Sequence, residues 1–168
     1  LLDGVEGAPQ ALVEAGRAVI SAVNFPELRS MYPGGAQAVF ALAHLIAPWS
    51  LDGLRVVFFG AEALAALLIW RALAVSGRPP LLVALYWCNP LMAFCLTGQA
   101  HVDAVLALPI LAALVAVDRR AAAAAGLCLG FAAGVKLWPV LLAPVLLRAL
   151  WPDRRATAVF ALVLGATM

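Results

Sequence analysis

The sequence predicts an all-α fold, a polytopic transmembrane helical bundle, and three observations support that prediction. Of its 168 residues, 65% are hydrophobic and 12% charged, and the mean hydropathy is +1.02, whereas soluble domains carry about 25% charged residues. Apolar runs recur along the chain, and their lengths approach the ~20 residues that are needed to cross a bilayer. The breaks between these runs collect arginine. The net charge of +2 is too small to indicate a nucleic-acid partner.

Residues 1–35 are predicted to form an extracytoplasmic loop, the remnant of a first outer loop. The breakers "NFP" and "YPG" within it limit regular structure to one short helix at about 9–22. The chain starts at Leu1 and stops at Met168 inside an apolar run, so we expect an internal fragment of a longer protein.

Residues 36–168 are predicted to form a transmembrane helical region, truncated at its C-terminus. The first helix, at about 36–47, is too short to span and is predicted to be interfacial or re-entrant on the outer surface. An Asn-Pro pair at 89–90 lies inside an apolar run, where Asn89 could cap a helix or hydrogen-bond across helices. A kink is the favoured interpretation, because proline frees a helix carbonyl. About six further membrane helices are predicted at 54–74, 80–97, 101–117, 121–135, 137–150 and from 156 to the end.

The arginines predict how the chain is oriented. Short cytoplasmic loops accumulate Lys and Arg, so three basic breaks are predicted to be cytoplasmic and the hairpin tips at 97–103 and 134–139 extracytoplasmic. This topology gathers polar candidates for substrate binding on the outer face. These are Lys136, His101, Asp103, Gln99 and Tyr32. The basic breaks contain Arg71 and Arg78, then Arg119 and Arg120, then Arg148, Arg154 and Arg155.

Lys136 is the only lysine of the chain and lies between apolar residues. One interpretation is a lysine that snorkels to the interface beside an aromatic anchor, Trp138. The other is a compact ammonium that binds the phosphate of an anionic headgroup as a point charge. Its predicted outer location runs against the positive-inside trend and favours the phosphate interpretation.

His101 and Asp103 form a His-x-Asp pair. Two residues at this spacing make a weak metal site, so no metal ligand is predicted, and a hydrogen-bonded pair at a loop-to-helix junction is favoured. Either residue could contact a sugar or a phosphate. Within the run 54–74, Glu62 lies one heptad after Arg55, which predicts a structural ion pair or a protonated carboxyl.

Three stretches together resemble the GT-C superfamily of polytopic glycosyltransferases, and family 87 in particular. They are "VNFPELRSMYPGGAQAVFAL", "NPLMAFCLTGQAHVDAV" and "AGLCLGFAAGVKLWPVLLAPVLL", and their order and spacing carry the resemblance from Val23 to Leu150. The sequence departs from the family at Gly34, which replaces the second proline of a Tyr-Pro-Pro element.

The resemblance implies an inverting hexosyltransferase of the cell membrane. Its donor would be a polyprenyl-phosphate sugar, often mannose, and its acceptor a lipid or glycan on the extracytoplasmic face, among membrane lipids. It implies no bound cofactor and leaves a divalent-metal requirement open. Members carry an acidic catalytic residue in the first outer loop, so the base is expected upstream of Leu1 and the fragment is expected to be inactive. Asp3 and Glu6 do not match that motif and receive no role.

Two other functions remain open from the sequence, a secondary transporter and a non-catalytic lipid-binding membrane subunit. A transporter would carry inverted repeats and charges near mid-membrane. No fixed-period repeat is visible, and the polar candidates gather at the predicted outer ends of the helices, which favours the transferase.

Overall fold

A computed structural model of the chain describes residues 9–22, 30, 32–94 and 100–168. Every regular element in these ranges is helical, which confirms the all-α prediction. Short 3-10 helices precede α4, α6 and α8, at Pro80–Val83, Val102–Val105 and Trp138–Leu142. The α-helices are α1 (Gln10–Ser21), α2 (Gly34–Ile46), α3 (Leu51–Val75), α4 (Ala84–Trp87), α5 (Pro90–Ala93), α6 (Ala107–Asp118), α7 (Ala122–Val135), α8 (Ala143–Leu150) and α9 (Arg154–Thr167).

Only α3, among the helices of the described ranges, is long and apolar enough to cross a membrane. Just 22% of its most apolar window is buried within the protein, whereas the core helix of a soluble domain would be mostly covered. Shorter apolar helices lie at Gly34–Ile46, Ala122–Val135 and Trp138–Leu150. The bundle with about six membrane helices besides the interfacial one therefore stays a prediction.

The predicted continuous helix at 80–97 is wrong, because the Asn-Pro pair breaks it. Asn89 adopts an extended conformation, with φ −68° and ψ 120°, and its side chain accepts a hydrogen bond from the amide of Leu91. Pro90 then begins α5, where its missing N–H costs nothing. The predicted kink is thus a full interruption, and residues 95–99 lie outside the described ranges.

Two other predicted helices begin as 3-10 turns. The run at 137–150 starts with Trp138–Leu142 and becomes α8, and proline stands near the start of each part. The run at 101–117 starts with Val102–Val105 before α6. The predictions at 9–22, 36–47, 54–74, 121–135 and from 156 onward coincide with α1, α2, α3, α7 and α9 within about three residues.

The helix α7 contributes to both clusters of buried apolar side chains. Its Leu129 packs in one cluster with side chains of α6, α8 and α9, including Phe160. Its Ala132 and Val135 pack in the other with side chains of α2 and α3, including Phe58, and of the turn Val102–Val105. The C-terminal end of α7 is thereby fixed against three other segments.

Glycine lets neighbouring helices approach α7 closely. A Cβ on Gly130 would overlap the Oγ1 of Thr167 in α9. A Cβ on Gly35, in α2, would lie 2.5 Å from the carbonyl carbon of Gly134, closer than real Cβ atoms come. The start of α2 therefore rests directly on the backbone at the end of α7.

Candidate functional site

Apolar packing brings Lys136 and Asp103 together. Lys136 follows the last turn of α7 in an extended conformation, and its amide donates to the carbonyl of Ala132 at 3.0 Å. Val102 and Ala104, on either side of Asp103, are buried in the cluster that contains the end of α7. The aspartate between them is therefore carried to the end of that helix.

These residues form a lysine cluster that consists of His101, Asp103 and Lys136. The Nζ of Lys136 lies 2.7 Å from Oδ1 and 2.8 Å from Oδ2 of Asp103. The Nδ1 of His101 lies 3.2 Å from Oδ2 of the same carboxylate. The predicted hydrogen-bonded pair of His101 and Asp103 is confirmed, and the contact to Lys136, 33 positions away, is an addition from the structure.

The charges of the cluster hold Asp103 ionised. Burial acts to raise the pKa of the Asp103 carboxyl, but the hydrogen bonds and positive charge of Lys136, with His101, outweigh it and leave the pKa below its usual value. An ammonium group has three N–H donors, and two of those of Lys136 point to Asp103. Because the lysine side chain is 46% exposed, its third donor is available to a ligand.

Two of the predicted site residues stay outside this cluster. Gln99 falls outside the described residues. Tyr32 precedes α2, and its ring packs edge-on against Phe40 with 5.4 Å between centroids. Within the described ranges it makes no hydrogen bond to the lysine cluster, although the contact of Gly35 with Gly134 places the start of α2 at the same end of α7.

The other end of α7 gathers basic residues. The Nη1 of Arg120 donates to the carbonyl of Ala149 at 3.1 Å, which joins the break after α6 to the end of α8. Two of the three basic breaks therefore lie together, at the end of α7 away from Lys136. Which end faces the cytoplasm stays a prediction.

A second polar site lies on α3. Glu62 is only 2% exposed, and its Oε2 accepts a hydrogen bond from the hydroxyl of Tyr86 in α4. Arg55 instead pairs with Asp52 at 2.8 Å. The ion pair between Arg55 and Glu62, one of the two interpretations from sequence, does not form in the described part of the chain, because a nearer carboxylate takes the guanidinium.

Glu62 and Tyr86 line a groove of about 690 Å³ beside α3. The Oε1 of Glu62 and the Nε of Arg55 are buried there without a hydrogen-bond partner among the described residues. Sequence reasoning missed Tyr86. A signal was present, since a carboxylate inside an apolar run needs a polar partner and Tyr86 is the only tyrosine in the apolar runs.

The described residues contain no group of three or more His, Cys, Asp or Glu side chains that could hold a metal ion.

Comparison with known proteins relates the chain to a protein family. The model of glycosyltransferase family 87 matches residues 31–168, which is more than half of the chain and includes the lysine cluster. No curated protein and no solved structure matches the chain.

Proposed function

The chain belongs to glycosyltransferase family 87, and we propose that it is part of a membrane enzyme that transfers a sugar from a polyprenyl-phosphate donor to a lipid or glycan acceptor. Mannose is the favoured sugar, inversion the favoured stereochemistry and the extracytoplasmic face the favoured side. Family membership supports the reaction class. The lysine cluster is the observation that supports an anionic donor.

A phosphate leaving group requires positive charge that is in place before the bond breaks. Lys136 offers one N–H donor beyond the two that Asp103 engages, and its ammonium acts on phosphate as a compact point charge. Asp103 and His101 position this ammonium at the end of α7. Lys136 would thus bind the donor phosphate and stabilise the charge that develops as the sugar departs.

Asp103 is poorly suited to act as the general base. A base works best when its pKa lies near the working pH, whereas the pKa of Asp103 is lowered and both of its oxygens face Lys136. The proton of the acceptor hydroxyl would therefore go to a different carboxylate. We place that base upstream of Leu1, so the chain alone should not catalyse transfer.

The role of Lys136 is tested by Lys136→Met in the full-length protein, reconstituted in liposomes with a radiolabelled polyprenyl-phosphate mannose. Loss of one charge-assisted hydrogen bond of about 1.5 kcal/mol or more lowers kcat/KM for the donor at least about tenfold. Lys136→Arg should recover part of this loss, because the guanidinium keeps the charge but places it differently.

Arg17→Met is the matched control, since Arg17 is another exposed cation on the predicted outer side. It should leave donor kinetics within about twofold of wild type, a difference of roughly 0.4 kcal/mol. If Lys136→Met were expressed normally and kept the donor affinity and rate of the wild type, Lys136 would be an interfacial anchor. Absence of sugar transfer by the wild-type full-length protein with every lipid-linked donor would overturn the proposed function itself.

A further inference from the structure

The groove beside α3 is open to the surroundings and mainly apolar. Its walls include Val56 and Phe59, which are 56% and 57% exposed, together with Trp87 and Met92 from the facing segments. Because α3 is the described helix that meets the requirements of a membrane span, these walls suit an acyl or isoprenoid chain.

Two buried polar atoms in the groove have no hydrogen-bond partner among the described residues. Glu62 has its Oε2 satisfied by Tyr86, while its Oε1 has no partner among the described residues. The Nε–H of Arg55, which also lines the groove, lacks an acceptor within the same part of the chain. A buried polar atom that is left unpaired destabilises the protein, so a ligand that satisfies both atoms gains affinity beyond its apolar contacts.

The chemistry of these atoms selects the headgroup. An anionic head would be repelled by an ionised Glu62, and a head without a donor would leave that carboxylate oxygen unpaired. A hydroxyl group fits both protonation states, because it donates to a carboxylate and accepts from a carboxylic acid. An ester or ether oxygen near the hydroxyl supplies the acceptor that Arg55 requires.

We propose that the groove between α3 and the segment containing α4 and α5 binds a neutral membrane lipid that carries a free hydroxyl group and a neighbouring ester or ether oxygen. Glu62 selects the hydroxyl, Arg55 binds the second oxygen, and the apolar walls hold the chain. The site differs from the lysine cluster in the charge of its ligand, and it does not depend on sugar transfer.

Photolabelling of the full chain in nanodiscs tests this site without any sugar donor. The probes are a monoacylglycerol with a diazirine in its acyl chain and the di-O-methyl ether of the same probe, which keeps the oxygen acceptors but lacks the donors. Peptide mapping should place the monoacylglycerol on Phe59, Trp87 or Met92. The ether should label these residues at least about fivefold less.

Variants separate the polar and apolar contributions. Gly60 lines the groove and has open space where a Cβ would stand, so Gly60→Leu fills the groove and should abolish labelling by both probes. Gly165→Leu is the matched control, because Gly165 also has open space but lies in α9. Glu62→Leu should make the two probes label equally, because it removes the oxygen that accepts from the hydroxyl group.

Three results would each overturn the proposal. They are equal labelling by both probes in the wild type, label confined to residues outside the groove, and full labelling in a correctly folded Gly60→Leu protein. Full labelling in Gly60→Leu is the result expected if the probe binds outside the groove. This would happen if another copy or another segment of the protein covered the groove. Labelling in Gly165→Leu at the wild-type level shows that a glycine replacement alone is harmless.

Discussion

Lys136 makes two short contacts to one carboxylate, and this geometry limits what the residue can do. A snorkelling lysine needs only an aqueous interface for its ammonium. Lys136 is instead held by Asp103, which is itself bonded to His101. The two contacts to Asp103 fix the direction of the remaining N–H donor of Lys136. Stabilisation of a leaving phosphate requires a donor that is preorganised in this way.

Asp103→Asn should lower stability at neutral pH and flatten its dependence on acid. The pKa of Asp103 is lower in the folded protein than its usual value of about 4,. The pair with Lys136 therefore contributes its full stability above about pH 4, and this contribution is lost as the pH falls through the lower folded value. Apparent Tm in detergent, measured from pH 7 to pH 3, should fall more steeply in the wild type than in Asp103→Asn.

Asp52→Asn provides the comparison for that measurement. The carboxylate of Asp52, which pairs with Arg55, is 74% exposed, against 39% for that of Asp103, and exposed pairs contribute about 0–1 kcal/mol. The acid dependence of Asp52→Asn should match that of the wild type. If Asp103→Asn also kept the wild-type profile, the contact with Lys136 would not contribute to folding.

The helices show where sequence patterns suffice and where they fail. The uninterrupted apolar runs of α3 and α7 are assigned correctly because periodicity and length describe them fully. The run at 80–97 is not, because hydropathy does not register that Asn89 can cap a new helix at Pro90. A run can thus have the composition of a membrane span and still be interrupted by a proline.

The lysine cluster was predictable only in part. Charge placement selected Lys136, His101 and Asp103 as residues of the predicted outer tips, and the bond between His101 and Asp103 follows from their spacing at a helix start. The contact of Asp103 with Lys136 spans 33 positions and depends on how Val102 and Ala104 pack against α7. No local pattern encodes that packing. The bond of Tyr86 to Glu62 escaped prediction for the same reason.

Substitutions at two adjacent glycines test whether the start of α2 lies directly against the backbone of α7. Gly35→Ala should destabilise the protein by about 1–3 kcal/mol, as overpacking does, because the new Cβ would meet the backbone of Gly134 and Val135. Gly34→Ala should change stability by less than about 0.5 kcal/mol, because nothing lies within 4 Å of its Cβ position. Apparent Tm and resistance to SDS unfolding measure both. Equal effects of the two substitutions would contradict the close contact.

At the scale of the whole molecule, the two ends of α7 lie among residues of different chemistry. The lysine cluster and the start of α2 lie at its C-terminal end. At its N-terminal end Arg120 binds the carbonyl of Ala149, near the arginines that open α9. This separation agrees with a hairpin of α6 and α7 whose arginine end is cytoplasmic under the positive-inside rule.

The membrane orientation of the two ends is tested by single cysteines in a background without Cys88, Cys95 and Cys128. A membrane-impermeant maleimide should label His101→Cys in intact cells, because that side chain is 56% exposed at the predicted outer end. Arg119→Cys and Arg154→Cys should react only after the membrane is permeabilised, since cytoplasmic arginines fix the orientation. Labelling of Arg119→Cys from outside, with His101→Cys protected, would invert the topology. It would also place the lysine cluster on the cytoplasmic side, where an extracytoplasmic sugar transfer could not use it.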